Sequence, residues 1–270
     1  MSGSGSGHIL IAQTSQVPNF KTLIAALKDI LLETNMTFRP DGIRVINMDK
    51  SHTILAHLFL DATKFQRYEC NREKIIIGLN DLHLFRLIGD INHEDTLTIC
   101  IDNEDYSDGI VTHLTLKFEN KQSNKCKKQR LRLIEPEQEE LTYPSVQFSS
   151  IINLSSTDFQ KIIRDLSCIS DKVEIKSVGS ELIFNCTGQF ANSEISRYEK
   201  EGEMTSVQKL DSSKIIQGVF SLKNLGYFIK CTNLCPQVEI YLENDLPLVV
   251  KYNVSDLGEI KLCVSSIPSC

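Results

Sequence analysis

Apolar residues at helical spacing occur twice in this chain, in two segments that share one pattern. FKTLIAALKDI spans residues 20–30 and FQKIIRDLSCI spans residues 159–169, at an offset of 139 (159 − 20). The coinciding apolar pairs are Phe20/Phe159, Leu23/Ile162, Ile24/Ile163, Leu27/Leu166 and Ile30/Ile169. Apolar residues three and four apart lie on one face of a helix. The spacing therefore predicts two equivalent amphipathic helices, one in each half of the chain.

The repeat continues through the rest of each half. Residues 79–101 align with residues 220–242 at an offset of 141 (220 − 79), a change that one loop insertion explains. Apolar and polar residues alternate in THLTLKF (112–118), KVEIKSV (172–178) and VEIYL (238–242), which predicts strands. In KVEIKSV we expect Val173, Ile175 and Val178 to be buried. A period near 140 residues is the length of a domain. The pattern predicts an α+β fold of two duplicated domains, each with antiparallel sheets and two helices on one face.

The middle of the chain interrupts the repeat. Residues 120–132 hold six basic residues, and residues 135–144 hold four Glu and two Pro. Prolines among like charges favour an extended surface segment over a helix or a central strand. We therefore expect an N-terminal domain over residues 8–133, a connecting loop over 134–148 and a C-terminal domain over 149–270. Residues 1–7 (MSGSGSG) are expected to be a leader outside the fold.

Charge and hydropathy narrow the class of protein. The net charge of −6 and the pI near 5.6 argue against a protein that coats nucleic acid by bulk charge, although they allow a local basic surface. No apolar run is long enough to span a bilayer, and no signal peptide is recognisable at the start of the sequence. We expect a soluble intracellular protein without a membrane partner.

The sequence lacks the motifs of catalysis and of metal binding. It contains no Gly-rich phosphate loop and no GxSxG, and its six His are dispersed. Of the nine Cys, Cys231 and Cys235 are four residues apart, but no second pair of ligands accompanies them. The cysteines are therefore expected to be reduced thiols, several of them packed in strands. We predict no enzyme activity, no cofactor and no metal.

Every predicted helix carries basic residues away from its apolar stripe. These are Lys21 and Lys28 on the first helix, Arg86 on the second, Lys161 and Arg164 on the third, and Lys223 and Lys230 on the fourth. Taken one helix at a time, such cations are ordinary solvated side chains. Taken together, they are consistent with a surface that faces a polyanion and contacts phosphates without reading base sequence.

Several stretches of the chain resemble the proliferating cell nuclear antigen family of DNA sliding clamps. They include INMDKSHTILAHLFL (46–60), YECNR (68–72), IIRDLSCISD (162–171) and DLPLVVKYNVSDLGEIKL (245–262). The resemblance implies a ring-shaped homotrimer of two-domain subunits, with sheets outside and helices lining a hole that duplex DNA threads. It implies a processivity factor for DNA replication and repair that works with DNA polymerases, other clients and a clamp loader. The compartment implied is the nucleus, or a viral replication compartment.

The resemblance also implies positions for the functional residues. The seven helix cations above would face the DNA. A groove for client peptides, which insert a helical turn with one aliphatic and two aromatic anchors, would use Met48, His52, Leu55, Leu141, Tyr143, Leu246, Pro247, Cys263, Val264 and Ser265. The acidic residues Glu135, Glu137, Glu139 and Glu140 beside it would favour clients with flanking Lys or Arg.

The chain departs from the family at several of these positions. Thr22 and Gly89 stand where basic residues are usual, and Cys263 stands where an aromatic residue usually floors the pocket.

The resemblance also implies how the ring closes. An edge strand near residues 127–133 would pair with a neighbour's strand near residues 192–198. Two alternatives remain open: a subunit of a heterotrimeric checkpoint-type clamp, and a peptide-binding scaffold that encircles nothing.

Overall fold

The computed structural model describes residues 7–89, 91–120, 122–136, 141–143, 146–211 and 213–268. The chain divides into two compact units. The first contains residues 1–47, 57–142 and 254–259, and the second contains residues 48–56, 143–253 and 260–270. Because two short segments exchange between the halves, the units are not two consecutive stretches of sequence. The domain boundaries expected above, at 8–133, 134–148 and 149–270, stay predictions.

The described residues form four α-helices, twenty strands and three short 3₁₀-helices, joined by turns and loops. The helices are α1 (Val17–Ile30), α2 (Asp81–Ile88), α3 (Ser156–Ser167) and α4 (Leu222–Phe228). The strands before the connecting segment are β1 (His8–Thr14), β2 (Glu33–Arg39), β3 (Gly42–Met48), β4 (Ile54–Asp61), β5 (Arg67–Cys70), β6 (Ile75–Asn80), β7 (Thr96–Asp102), β8 (Tyr106–Ser107), β9 (Ile110–Val111), β10 (His113–Asn120) and β11 (Lys125–Arg132). Those after it are β12 (Ser150–Ser155), β13 (Lys172–Val178), β14 (Glu181–Thr187), β15 (Asn192–Tyr198), β16 (Met204–Lys209), β17 (Ile216–Ser221), β18 (Gln237–Leu242), β19 (Leu248–Val254) and β20 (Gly258–Val264).

The strand order shows the duplication directly. The order β5-β1-β7-β10-β11 in the first half is matched by β16-β12-β18-β19-β20 in the second. The order β6-β2-β3-β4 is matched in the same way by β17-β13-β14-β15. Strand β13 begins 139 residues after β2, and β17 begins 141 residues after β6 (172 − 33 and 216 − 75). The added residues therefore lie between these two positions, as the change of offset predicts.

The apolar stripes of the long helices form part of the core of each unit. The five apolar residues of α1 and the equivalent residues Phe159, Ile162, Ile163 and Leu166 of α3 are buried, which confirms the helical pattern at these positions. The expectation for Ile169 was wrong, because α3 ends at Ser167 and Ile169 is half-buried beyond it. Each such side chain contributes about 1.5–3 kcal/mol by leaving water. Helix α1 begins with Pro18 in its first turn, where the missing N–H costs no hydrogen bond. It ends because Leu31 adopts an extended backbone.

Strand β13 departs from the expected burial at one position. Val173 and Ile175 are buried, but the third buried residue is Ser177, and Val178 is half-buried. Side chains alternate along a strand, so residues 173, 175 and 177 share a face and residue 178 points the other way. The Ser177 hydroxyl lies 2.9 Å from the Ser150 hydroxyl, a hydrogen bond that offsets the cost of burying both. The expectation for Val178 was wrong.

Candidate functional sites

The basic residues of the helices fall into an exposed group and an engaged group. The exposed group is Arg86 on α2, Lys161 and Arg164 on α3, Lys223 on α4, and Lys230 just after α4. Each belongs to a helix or turn whose opposite side is buried in its own unit. Arg86, Lys161, Arg164 and Lys223 present their charges to the surrounding solvent. Lys230 is also exposed, but its ammonium lies near the Tyr227 ring.

Lys21 and Lys28 of α1 are half-buried, and both have partners. The Lys21 ammonium donates a hydrogen bond to the carbonyl oxygen of Gly89, just past the end of α2. The Lys28 ammonium lies 2.7 Å from an Asp29 carboxylate oxygen and 4.8 Å from the centroid of the Phe85 ring. Lys21 therefore binds a carbonyl at the negative end of a helix dipole, and Lys28 is neutralised locally. Their contribution to an anion-binding face is weaker than that of the exposed group.

Lys223 and Lys230 do not share one α-helix. Helix α4 ends at Phe228, and residues 229–234 continue as a 3₁₀-helix. Lys230 is exposed, and its ammonium lies 5.5 Å from the centroid of the Tyr227 ring. The tighter winding changes the direction of Lys230 relative to that expected from a spacing of seven residues.

A predominantly apolar cavity of about 210 Å³ lies within the second unit. Seven of the ten residues predicted for the client groove line it: Met48, Leu55, Tyr143, Leu246, Pro247, Cys263 and Ser265. Four further lining residues were not predicted: Thr53, Val146, Phe148 and Val249. Alternation could have identified Thr53, two residues before Leu55 on the same side of the chain. The cavity has the shape and chemistry to receive a small cluster of apolar side chains.

Three predicted groove residues do not line the cavity. Val264 is fully buried, because neighbouring residues of β20 face opposite sides and only Cys263 and Ser265 can share one. His52 is exposed in the turn before β4, where its backbone has a φ of 54°. Leu141 belongs to the first unit. Of the predicted flanking acids, Glu135 is exposed, whereas Glu137, Glu139 and Glu140 lie outside the described residues.

Hydrogen bonds hold one wall of the cavity in place. An Asp49 carboxylate oxygen accepts from the backbone N–H groups of Thr53 (2.8 Å) and Ile54 (2.6 Å). Burial alone would raise the pKa of Asp49, but the Ser51 hydroxyl and these N–H groups outweigh it and hold the pKa below its usual range. The Ser265 N–H donates to the Thr53 carbonyl at 3.1 Å. These bonds tie the turn before β4 to the segment after β20.

One of the residues that line the cavity is a buried, neutral thiol. Cys263 is buried, and burial raises its pKa to about 11, an effect that a hydrogen bond with Tyr143 only partly opposes. The Lys261 ammonium lies 5.5 Å from the centroid of the Tyr143 ring at the same wall. Cys263 therefore acts in the cavity as a small apolar surface rather than as a nucleophile.

Two family models match this chain along nearly its whole length. The N-terminal domain of proliferating cell nuclear antigen matches residues 9–140, and the C-terminal domain matches residues 142–267. The chain belongs to the proliferating cell nuclear antigen family. It is also 31% identical over 263 residues to the probable DNA polymerase sliding clamp 1 of Paramecium bursaria Chlorella virus 1, covering 95% of this chain and 96% of that protein.

Two edge strands match positions that the proliferating cell nuclear antigen family resemblance indicated for ring closure. β11 (Lys125–Arg132) and β15 (Asn192–Tyr198) each stand last in their sheet, so each has one edge without a strand partner among the described residues. Five of the eight residues of β11 are Lys or Arg. The stretch from Glu194 to Glu203 contains four Glu against Arg197 and Lys200. The strand β15 itself is balanced, with Glu194 against Arg197, and the acidic excess lies in the segment that follows it, up to Glu203.

The residues at which this family member departs from its relatives have visible consequences. Gly89 supplies the carbonyl that binds Lys21, and Thr22 is half-buried on α1. Neither adds a cation to the helices.

None of the described helices is long and apolar enough to cross a membrane.

Proposed function

We infer that this chain is a DNA sliding clamp: a processivity factor for DNA replication that encircles duplex DNA and tethers polymerases to it. Its membership of the proliferating cell nuclear antigen family and its 31% identity to a viral sliding clamp support this function. The observation that carries the mechanism is the exposed cation group on the helices of two equivalent units. The role proposed is binding rather than catalysis.

The exposed cations suit a clamp that slides. Lys and Arg side chains at a surface contact phosphate oxygens, which every base pair presents alike, so their binding is independent of sequence. Such contacts are screened by salt and individually weak. A closed ring is retained by topology, so weak contacts are sufficient and allow movement along the duplex.

We propose three copies of this chain as the ring. Pairing of the free edge of β11 with the free edge of β15 from a neighbour would satisfy the backbone groups of both strands. The basic residues of β11 and the acidic segment 199–203 that follows β15 favour this head-to-tail contact between identical chains. The same complementarity favours a homotrimer over a heterotrimeric clamp, because one chain carries both halves of the interface.

The apolar cavity is proposed as the docking site for client peptides. Clients would insert a helical turn whose aliphatic and aromatic anchors fill it, the mode in which a few buried side chains carry most of the binding energy. Because the Cys263 side chain is small, it leaves more room in this cavity than an aromatic side chain at the same position would leave. The same proposal includes a DNA polymerase and other clients, a clamp loader, and a role in DNA repair. It places the chain in the nucleus or in a viral replication compartment, and the viral relative favours the second of these.

The DNA contact can be tested with a short duplex, to which no ring can remain topologically linked. We expect the Lys161→Gln/Lys223→Gln variant to bind more weakly than the unsubstituted chain at low salt. The slope of log affinity against log salt should fall by about 0.9 for each lost phosphate contact. The measurement is fluorescence anisotropy across a salt series.

The matched control removes two exposed lysines outside the four α-helices. Lys64→Gln/Lys200→Gln carries the same change of net charge, so bulk electrostatics predicts the same loss for both variants. We expect the control to keep the affinity and the salt slope of the unsubstituted chain. Equal slopes for both variants would contradict a DNA contact through the helices.

A further inference from the structure

We propose that His8, Cys100 and Asp102 form a binding site for a divalent transition metal of the zinc class, on the five-stranded sheet of the first unit. Their ligand atoms, one imidazole nitrogen, one thiol sulfur and one carboxylate oxygen, all lie within 4.8 Å of one another. The proposal is independent of the clamp function.

A bulge in β1 brings the three side chains to one face. In β1, Leu10 pairs with Ile101 of β7, so a regular ladder would place His8 opposite residue 103, on the same face as Leu10. Instead, the register shifts between His8 and Leu10, and His8 pairs with Asp102. Extra residues of this kind turn a side chain to the other face of a sheet. His8 therefore joins Cys100 and Asp102, which share a face because they are two residues apart.

The donor set and its spacing fit zinc. Zinc binds imidazole nitrogen, thiolate sulfur and carboxylate oxygen at about 2.0–2.3 Å, so tetrahedral ligands lie about 3.3–3.8 Å apart. A span of at most 4.8 Å needs only small side-chain rotations to close around an ion. Three protein ligands leave the fourth position for water, the arrangement of an open zinc site.

The contacts of Asp102 show that this buried carboxylate already attracts positive charge. Asp102 is buried, and its Oδ1 atom accepts no hydrogen bond in the described part of the chain, with the close contact to His8 Nδ1 as its ion-pair partner. Its other oxygen lies 3.7 Å from the ammonium of Lys128, whose side chain is 50% exposed. Lys117 also lies near the Cys100 thiol. Both lysines have long side chains that can turn into solvent when an ion enters.

A neighbouring cluster of three carboxylates does not share these features. Asp102, Glu104 and Asp105 also approach one another, but Asp105 is already bound by Arg130 at 2.5 Å and by His113 at 3.1 Å. This cluster contains no sulfur or nitrogen donor. The His113–Asp105 pair is therefore a matched control: a histidine beside a buried aspartate, without a cysteine.

The test is titration of the full chain with Co²⁺ and Zn²⁺. We expect one Co²⁺ per chain with a thiolate-to-cobalt charge-transfer band in the near ultraviolet, and displacement of that ion by Zn²⁺. Cys100→Ser should abolish the band. His8→Gln should weaken binding at least about a hundredfold, since loss of a partner outside the ligand set alone costs about 10–100-fold. Zinc should raise the melting temperature of the unsubstituted chain and of neither variant.

The controls are His113→Ala and Cys126→Ser, the latter because Cys126 is an exposed thiol that could bind cobalt adventitiously. Both should bind cobalt as the unsubstituted chain does. The proposal is overturned if Cys100→Ser keeps the band, if Cys126→Ser loses it, or if the unsubstituted chain binds no ion. Unfolding without metal shows whether each variant folds, and if Cys100→Ser does not, His8→Gln and Asp102→Asn decide.

Discussion

At the scale of single residues, the two units differ at a buried pair that the repeat makes comparable. In the first unit the Thr34 hydroxyl donates a hydrogen bond to the buried Asp81 carboxylate. At the same offsets of 139 and 141, the second unit has Val173 and Leu222, both buried. One unit thus has a polar pair where the other packs two apolar side chains. Replacing such a polar pair by apolar groups of similar size is often neutral or stabilising.

The Asp81 carboxyl gives the stability of the first unit a pH dependence. Burial raises its pKa to about 7, an effect that the Thr34 hydrogen bond only partly opposes, whereas the ordinary value is 3.8. Between about pH 4 and pH 7 the folded chain holds a proton that the unfolded chain has released, so stability falls as pH rises, by up to about 1.4 kcal/mol per pH unit. We expect Asp81→Asn to remove this slope and to raise the melting temperature more at pH 8 than at pH 5. Thermal unfolding across this pH range measures both.

Asp61→Asn is the control for this prediction. Asp61 has a pKa lowered by hydrogen bonds from the Thr63 hydroxyl and backbone N–H, so its stabilising effect is lost only as the solution becomes acid. Its substitution should leave the slope between pH 5 and pH 8 unchanged. If Asp81→Asn keeps the slope of the unsubstituted chain, another group is responsible for it.

Single residues also show how sequence reasoning about the proposed groove compares with the lining of the cavity. Positions carried over from the family placed Cys263, Val264 and Ser265 in the pocket together, but a strand can turn only the first and third toward one side. Phe148 and Val249 line the cavity through packing between segments that are distant in sequence, and no local pattern marks such a contact. Family position predicts the region of the groove, and alternation shows which of the three residues on β20 can line this cavity together.

At the scale of elements, the apolar pattern predicts the repeated helices well, because the apolar residues of each helix are the ones that become buried. It does not predict how the segment after each last strand returns to the sheet. The Ile134 N–H donates to the Gly78 carbonyl, and the Ile267 N–H donates to the Val219 carbonyl, which is the equivalent position 141 residues later. A Cβ at Gly78 would lie 2.8 Å from the Ile134 carbonyl oxygen, so the approach requires glycine in the first unit. Backbone hydrogen bonds of this kind leave no hydrophobic signature.

The groove supports a prediction at the same scale, because its walls come from several elements. We expect Leu246→Ala to weaken binding of a peptide with one aliphatic and two aromatic anchors by at least about fivefold, the effect of losing a central apolar contact of more than 1 kcal/mol. Leu246 is half-buried and lines the cavity, so its truncation should affect the peptide more than the fold. Anisotropy of a labelled peptide measures the affinity.

Val207→Ala is the matched control, since Val207 is 56% exposed and lies outside the cavity. Its peptide affinity should equal that of the unsubstituted chain. Equal affinities for Leu246→Ala and the unsubstituted chain would mean that the cavity is not the docking site. The clamp function would then need another surface for its clients.

At the scale of the whole molecule, the charges of the two edge strands lead to a prediction about self-association. Lys125 and Lys127 are exposed on β11, and Glu194 is exposed on β15. At low salt we expect a mass near three times the 30.5 kDa chain, with association weakening as salt rises, because the complementary charges are screened. Lys125→Glu/Lys127→Glu should shift the equilibrium toward smaller species. Light scattering at several protein and salt concentrations measures the mass.

Charge reversal on the opposite strand provides the control that separates pairing from general electrostatics. If β11 pairs with β15, adding Glu194→Lys to the Lys125→Glu/Lys127→Glu variant should restore part of the association, since opposite charges face each other again. Lys50→Glu/Lys64→Glu carries the same change of net charge at exposed positions outside β11 and outside residues 192–203, and it should leave the mass unchanged. A chain that stays monomeric at every concentration would rule out the homotrimer and favour a clamp subunit that needs different partners. In that case the basic edge of β11 would be expected to pair with an acidic edge on another chain.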